Sequence, residues 1–225
     1  MLDRHSESRL LVGLAALTLI SLALLKFASE VLEGDTLAFD RAILLSFRTP
    51  GQPAIPLGPS WLRQSMLQIT SLGSGAVLTL VTAGVAGYLF VSKRSATAVF
   101  VIGCVSGGAF LESILKSMFD RPRPSVVPHL IDVNSLSFPS GHAMNSAVAY
   151  LTIGALLAHA ERGRAARIYL VSLAAVLTFL VGISRVYLGV HWPTDVIAGW
   201  CIGATWAAIC SLAAHRFLDP TEVPN

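Results

Sequence analysis

Charge is what this sequence has least of. Only 13% of its 225 residues are Asp, Glu, Lys or Arg, where a water-facing globular fold draws on roughly 25%. Hydrophobic residues make up 54% and the mean hydropathy is positive. The few charges cluster between long apolar runs, which points to a chain dissolved in lipid. Cysteine is scarce too. Cys104, Cys201 and Cys210 are odd in number, sit in apolar stretches and lack zinc-ligand spacing, so they read as packing residues and not as a disulfide framework. The formal net charge of +3 resides in short loops, which suits membrane topology and excludes a nucleic-acid-binding face. No carboxylate cluster suited to Mg²⁺ or Ca²⁺ is present. No metal and no cofactor are therefore expected, and no obligate protein partner is inferable.

Apolar length is what the sequence has. A bilayer span needs about 20 mostly apolar residues. Residues 10–28, 72–92, 96–115, 143–160, 167–184 and 195–214 approach that length. The first follows Arg4 and Arg9, as a signal peptide would, but its apolar run is long and no small-x-small site follows. It is read as a retained helix. The expected fold is a single all-α domain over residues 1–225, a six-transmembrane-helix bundle. Between the first two spans, residues 29–71 are rich in Gly and Pro around Pro50–Pro59. There Leu37–Arg48 sets Phe39, Ile43 and Phe47 at helical spacing, with Asp40, Arg41 and Arg48 elsewhere. That pattern fits a short interfacial helix or an ordinary solvated one.

Lys93 and Arg94 occupy one loop, and Arg162, Arg164 and Arg167 another. Alternating helices put both loops on one side, joined by Arg4, Arg9 and Arg216, and the positive-inside rule makes that side cytoplasmic. The same alternation brings four polar stretches to the opposite face: Lys116 with Arg123, Ser140–His142, Arg185, and His191 with Asp195. The active face is thus expected to be extracytoplasmic.

Each stretch has an ordinary reading and a chemical one. Lys116 ends a span and can simply snorkel. Arg123 stands between Pro122 and Pro124, which stiffen the backbone and hold a guanidinium ready for phosphate oxygens, while Arg121 also precedes a proline and is a possible decoy. Ser140 can be an N-cap, yet Ser140-Gly141 at a helix start also offers backbone N–H groups to an anion, with His142 in reach. Pro193 opens the last span and puts Asp195 in its first turn, where an acid complements the dipole. Paired with His191, the same carboxylate can hold one imidazole N–H and leave the other nitrogen nucleophilic. Together these residues offer fixed cations, a hydroxyl, an anion site and two histidines, which are the parts phosphoryl transfer needs.

Lys116-x6-Arg123-Pro124, Pro139-Ser140-Gly141-His142 and Ser184-Arg185-x5-His191-x3-Asp195 resemble the three motifs of the type 2 phosphatidic acid phosphatase family. That superfamily also holds bacterial acid phosphatases and vanadium haloperoxidases. The resemblance implies a membrane lipid phosphatase in which His191 attacks phosphorus and forms a phosphohistidine. Asp195 would orient it, and His142 would protonate the leaving oxygen and later activate water. Lys116, Arg123, Ser140, Gly141 and Arg185 would hold the phosphate oxygens. Undecaprenyl pyrophosphate, phosphatidylglycerophosphate, phosphatidic acid and lipid A phosphates all fit as substrates, and a cell-wall-recycling role in a bacterial inner membrane comes first. The nearest alternative is a phosphotransferase with the same site. A haloperoxidase is disfavoured by the six spans, a transporter by charges gathered at one face, and an inert lipid-binding protein by complete motifs. Glu112, one turn before Lys116, and residues 29–71 have no assigned role.

Overall fold

In lipid every backbone N–H and C=O must be satisfied within the chain, so long apolar runs become helices. The computed structural model describes residues 4–217. The side chains of Arg4, Arg9 and Arg216, counted above among the basic flanks, lie outside those described. In chain order the elements are α1 (Arg4–Glu33), α2 (Leu37–Ser46), β1 (Arg48–Thr49), β2 (Gln52–Pro56), α3 (Ser60–Ser71), α4 (Gly75–Val91) and α5 (Ser95–Met118). They continue with α6 (Gly141–Ser146), a π-helical turn (Ala147–Leu151), α7 (Thr152–Ala160), α8 (Arg164–Tyr187) and α9 (Pro193–Phe217).

The protein is an all-α membrane bundle. Four described helical stretches are long and apolar enough to cross a bilayer: α5, α6 through α7 (Gly141–Ala160), α8 and the Pro193–Ala214 part of α9. A fifth is counted if α3 and α4, bent by 52° at their junction, form one broken span. The expected span over 10–28 falls within α1, eight of whose side chains there lie outside the described ones. Large apolar side chains such as Leu80, Val91, Phe110 and Leu212 are exposed on the outside, while polar groups collect within. That inverts a water-soluble fold and suits a lipid solvent.

Residues 29–71 differ from their sequence reading. A helix does form at 37–46, but Phe39 is exposed and Asp40, Leu44 and Arg48 are buried. Its inward face carries one charge, Asp40, beside the apolar Leu37, Ile43 and Leu44. A small antiparallel ribbon joins β1 to β2 around Pro50–Gly51, and α3 then precedes a break that the single span 72–92 did not anticipate. Ser74 restarts the chain as the N-cap of α4, its side chain accepting from Val77 N at 3.3 Å.

Helices α6 and α9 pack closest where the motifs meet. Gly199 and Gly203 lie one turn apart on α9. A Cβ at Gly199 would stand 2.8 Å from Ser140 O, and one at Gly203 2.5 Å from Met144 O. Small residues at that spacing let two backbones approach. The approach is locked by Ser140 N–H donating to Asp195 O at 3.0 Å, which ties the start of α6 to the start of α9.

Candidate active site

A cavity of about 270 Å³ opens at this end of the bundle. Several pieces of chain line it, among them α5 with Glu112 and Lys116, the following loop with Arg123 and Ser135, α6 with Gly141, His142 and Asn145, α8 with Arg185, and the α8–α9 turn with His191. Gly73 and Gly75 add the α3–α4 break. Arg164 and Arg185 mark the two ends of α8, so the basic loops stand about 30 Å away at 1.5 Å per residue.

His191 is held on both ring nitrogens. Its Nδ1 lies 3.5 Å from Asp195 Oδ2 and 3.5 Å from Ser137 Oγ. Its Nε2 lies 3.2 Å from Arg123 Nη1. A guanidinium only donates, so Nε2 carries the lone pair and the Nδ1 proton faces Asp195. Arg123 is itself fixed, donating from Nη1 to Val190 O at 2.5 Å, from Nε to Ser135 O at 2.7 Å and from Nη2 to Ser135 Oγ at 3.0 Å. Burial pulls the His191 imidazole down to about 4, against the opposing pull of Asp195. Burial also lowers the Arg123 guanidinium from its ordinary value. The turn preceding His191 needs Gly189, whose φ of +75° and close neighbours, Arg48 Nη2 and Pro128 O, leave no room for a side chain.

Behind His191 the polar groups form a closed set. Asp195 Oδ2 accepts from Ser137 Oγ at 2.5 Å and from Trp192 N–H at 2.9 Å. The second bond is the return half of a capping box, so the acid caps its helix and faces the histidine at once. Asp195 Oδ1 pairs with Arg121 Nη1. The other arm of Arg121 donates to Asp40 Oδ2 at 2.7 Å, and Asp40 also accepts from Thr194 N–H at 2.9 Å and Thr194 Oγ at 2.7 Å. Arg121 therefore does not reach the cavity, as Arg123 does, but lies behind Asp195.

The rest of the cavity is less complete. Ser140 stands at the N-cap position of α6 yet its side chain makes no capping bond, and its buried Oγ has no partner among the described residues. Arg185 donates from Nη1 to Thr70 Oγ1 at 2.9 Å, while its buried Nε also lacks a partner. Donors left this way in an interior are rare, and Arg185 lines the cavity. Lys116 Nζ sits 3.0 Å from Glu112 Oε1 and 3.4 Å from Ser135 Oγ. Glu112 thus both pairs with Lys116 and lines the cavity. A Cβ on Gly141 would collide with Glu112 Oε1 and stand 3.3 Å from Lys116 Nζ, so glycine lets the α5 ion pair press against the α6 backbone. Among the described residues no three His, Cys, Asp or Glu side chains converge as metal ligands.

Asp40, Thr70, Arg121, Ser137, Asn145 and Thr194 were not among the expected site residues. Arg121 and Thr194 adjoin motif positions, and that adjacency was the available signal. Asp40 left a fainter one, a lone acid one turn from Leu44 on a short helix. Nothing in the sequence pairs Thr70 with Arg185.

A membrane bundle whose helix ends gather two histidines and three cations around one cavity is built as a phosphoric-ester hydrolase of the bilayer. The comparisons specify it further. The chain belongs to the PAP2 superfamily, whose profile matches residues 96–219. It is 34% identical over 151 residues to phosphatidylglycerophosphatase B of Bacillus subtilis, covering 67% of this chain and 74% of that protein. It is 40% identical over 76 residues to an undecaprenyl-diphosphatase of Sulfolobus acidocaldarius, covering 34% of this chain and 32% of the relative. The crystal structure of a transmembrane PAP2 type phosphatidylglycerolphosphate phosphatase from Bacillus subtilis superposes with a TM-score of 0.80 at 27% identity, covering 89% of this chain and 96% of that one. The protein is a membrane lipid phosphatase.

Proposed function

We propose that the enzyme hydrolyses a lipid phosphate or diphosphate through a phosphohistidine on His191, with no metal in the reaction. The observation that carries this is the setting of His191, with Nε2 beside Arg123 at 3.2 Å and Nδ1 turned to Asp195. In the first step Nε2 forms a bond to phosphorus while the bond to the leaving oxygen breaks, and His142 gives that oxygen a proton. In the second, water loses a proton to His142 and its oxygen bonds to phosphorus as the N–P bond breaks. Arg123, Arg185, Lys116, Ser140 Oγ and the Gly141 N–H neutralise the equatorial oxygens, where charge is concentrated in the transition state. Asp195 compensates the positive charge that the imidazole gains.

Phosphatidylglycerophosphate comes first among the candidate lipids. The relative named for it is matched over 67% of this chain, the one named for undecaprenyl diphosphate over 34%. That moves the emphasis away from cell-wall recycling. Phosphatidic acid and lipid A phosphates remain in the test panel. Purified enzyme in detergent is expected to release inorganic phosphate fastest from phosphatidylglycerophosphate, to keep its rate in EDTA and to be inhibited by orthovanadate, which mimics the pentacoordinate state. Loss in EDTA with recovery in Mg²⁺, or a phosphorylated acceptor in place of free phosphate, overturns the reading.

An extracytoplasmic site in a bacterial inner membrane is part of this proposal, supported by Lys93, Arg94, Arg162, Arg164 and Arg167 at the opposite helix ends. Ser125 and Gly163 are both exposed, at the two ends. In a cysteine-free background, Ser125→Cys is expected to react with an impermeant maleimide on intact cells. Gly163→Cys should be protected until the membrane is opened. The reverse pattern puts the site in the cytoplasm.

A further inference from the structure

Asp40 lies outside the three motifs and outside the matched region 96–219, yet it is joined to the nucleophile by an unbroken chain of buried polar contacts. From Asp40 the chain runs to Arg121, then Asp195, then His191. The four residues are 0%, 6%, 0% and 1% exposed. Solvent screening between groups so buried is weak. We infer that Asp40 is a positioning residue for the reaction, sharing Arg121 with Asp195 so that Asp195 keeps enough negative charge and the right attitude to hold His191.

The charges decide what Asp40 does. Asp195 and Arg121 alone would form a neutral pair, and the guanidinium would compete with the imidazole for the same carboxylate. A second carboxylate on the other arm of the guanidinium divides its pull and leaves the set Asp40–Arg121–Asp195 with a formal charge of −1. That matters when His191 gives its Nε2 lone pair to phosphorus and its ring becomes positive. The other charges facing His191 oppose this change: Arg123 from the loop after α5, Arg185 from α8 and Lys116 from α5, with His142 on α6 across the cavity. Glu112, the remaining acid at the cavity, is occupied by Lys116 at 3.0 Å. Thr194 adds geometric control. Its N–H and Oγ both donate to Asp40 and its Oγ accepts from Arg121, so α2 fixes the first turn of α9, on which Asp195 sits.

A purely structural ion pair would anchor α2 and nothing more, and the two roles predict different kinetics. Asp40→Asn keeps the shape and the acceptor for Thr194 N–H but removes the charge. With correct folding, kcat is expected to fall about 10- to 100-fold, the range for losing a partner that orients a reacting group, with KM for the lipid little changed. The acidic limb of kcat/KM should also move to lower pH, because less negative charge makes the imidazolium harder to form. Asp40→Glu restores the charge one methylene away. It should return the limb to the wild-type position and recover part of kcat. Wild-type kinetics in Asp40→Asn, or lost activity with an unmoved limb or a raised KM, overturns the inference. Should Asp40→Asn not fold, Asp40→Glu alone decides: kcat several-fold down at unchanged KM supports the role, and wild-type kcat overturns it.

The inference rests on His191 being the nucleophile, so His191→Ala is run beside it. If His191→Ala traps labelled phosphate, the nucleophile assignment fails. If it traps none and Asp40→Asn matches wild type, only the role of Asp40 fails.

Discussion

The two walls of the cavity are built differently. Behind His191, α2, α9 and the loop before α6 supply Asp40, Arg121, Ser137, Thr194 and Asp195, all buried and mutually hydrogen-bonded. Across the cavity, α5 and α6 supply Glu112, Lys116, His142 and Asn145. There Lys116 and Glu112 side chains are 21% and 13% exposed, and Asn145 Oδ1 has no partner among the described residues. A nucleophile gains from a fixed direction of attack, since a misplacement of about 1 Å can cost 10²-fold in rate. The leaving group differs from lipid to lipid, and a softer wall accommodates it. In the proposed mechanism one wall fixes the nucleophile, and the other holds the acid and admits the leaving group.

Removing the proposed nucleophile tests the rigid wall most severely. His191→Ala is expected to abolish trapping of labelled phosphate and to lower kcat by about 10⁴-fold or more. Trapping at wild-type levels would place the covalent step elsewhere. The opposite wall should fail more gently. His142→Ala is expected to lower turnover of a lipid phosphate about 10²- to 10⁴-fold, the usual worth of general acid–base catalysis. With p-nitrophenyl phosphate, whose leaving group needs no proton, the loss should be much smaller. Equal losses on both substrates would remove His142 from the acid's role.

The pH profile separates the walls without a mutation. Burial pulls the His191 imidazole down to about 4, and only the neutral ring attacks. Activity should therefore persist as pH falls through 6.5, the ordinary value of histidine, and drop as it falls through about 4. The profile of kcat/KM reports the free enzyme. An acidic limb near 6.5 would mean that His191 is not held in the dry environment seen here.

Much of the soft wall and little of the rigid one could be read from the sequence. Lys116, Arg123, His142 and Arg185 stand at the ends of long apolar runs, and alternation of spans was enough to bring them to one end. His191 and Asp195 share one turn, so their proximity is local. Asp40 and Arg121 are 81 positions apart, and Thr70 and Arg185 are 115 apart. Nothing local encodes such pairs. The apolar period of Leu37–Arg48 held for Ile43 and Phe47, which pack against the core, but not for exposed Phe39, and it hid Asp40, a buried charge on the inward face whose partner comes from another element. The α3–α4 break was hidden because Leu72 and Gly73 continue the hydropathy of the span that follows.

The smallest expected effect concerns the softest part of the soft wall. Glu112 holds Lys116 at 3.0 Å at the edge of the cavity. Its consequence is for the substrate, because it ties down a cation that could otherwise turn wholly to phosphate. Glu112→Gln keeps the side chain's length and its packing on Gly141 while releasing Lys116. KM for a lipid phosphomonoester is expected to fall about two- to fivefold, from one cation freed at a partly screened site, with kcat nearly unchanged. A diphosphate carries more negative charge and should gain more. Parallel titrations of phosphatidylglycerophosphate and undecaprenyl diphosphate would show this as a shift in relative kcat/KM toward the diphosphate. A raised KM on both would mean that Glu112 positions Lys116 and does not restrain it. A tenfold loss of kcat would extend the rigid wall to α5, and the contrast between the two sides of the cavity would then fail.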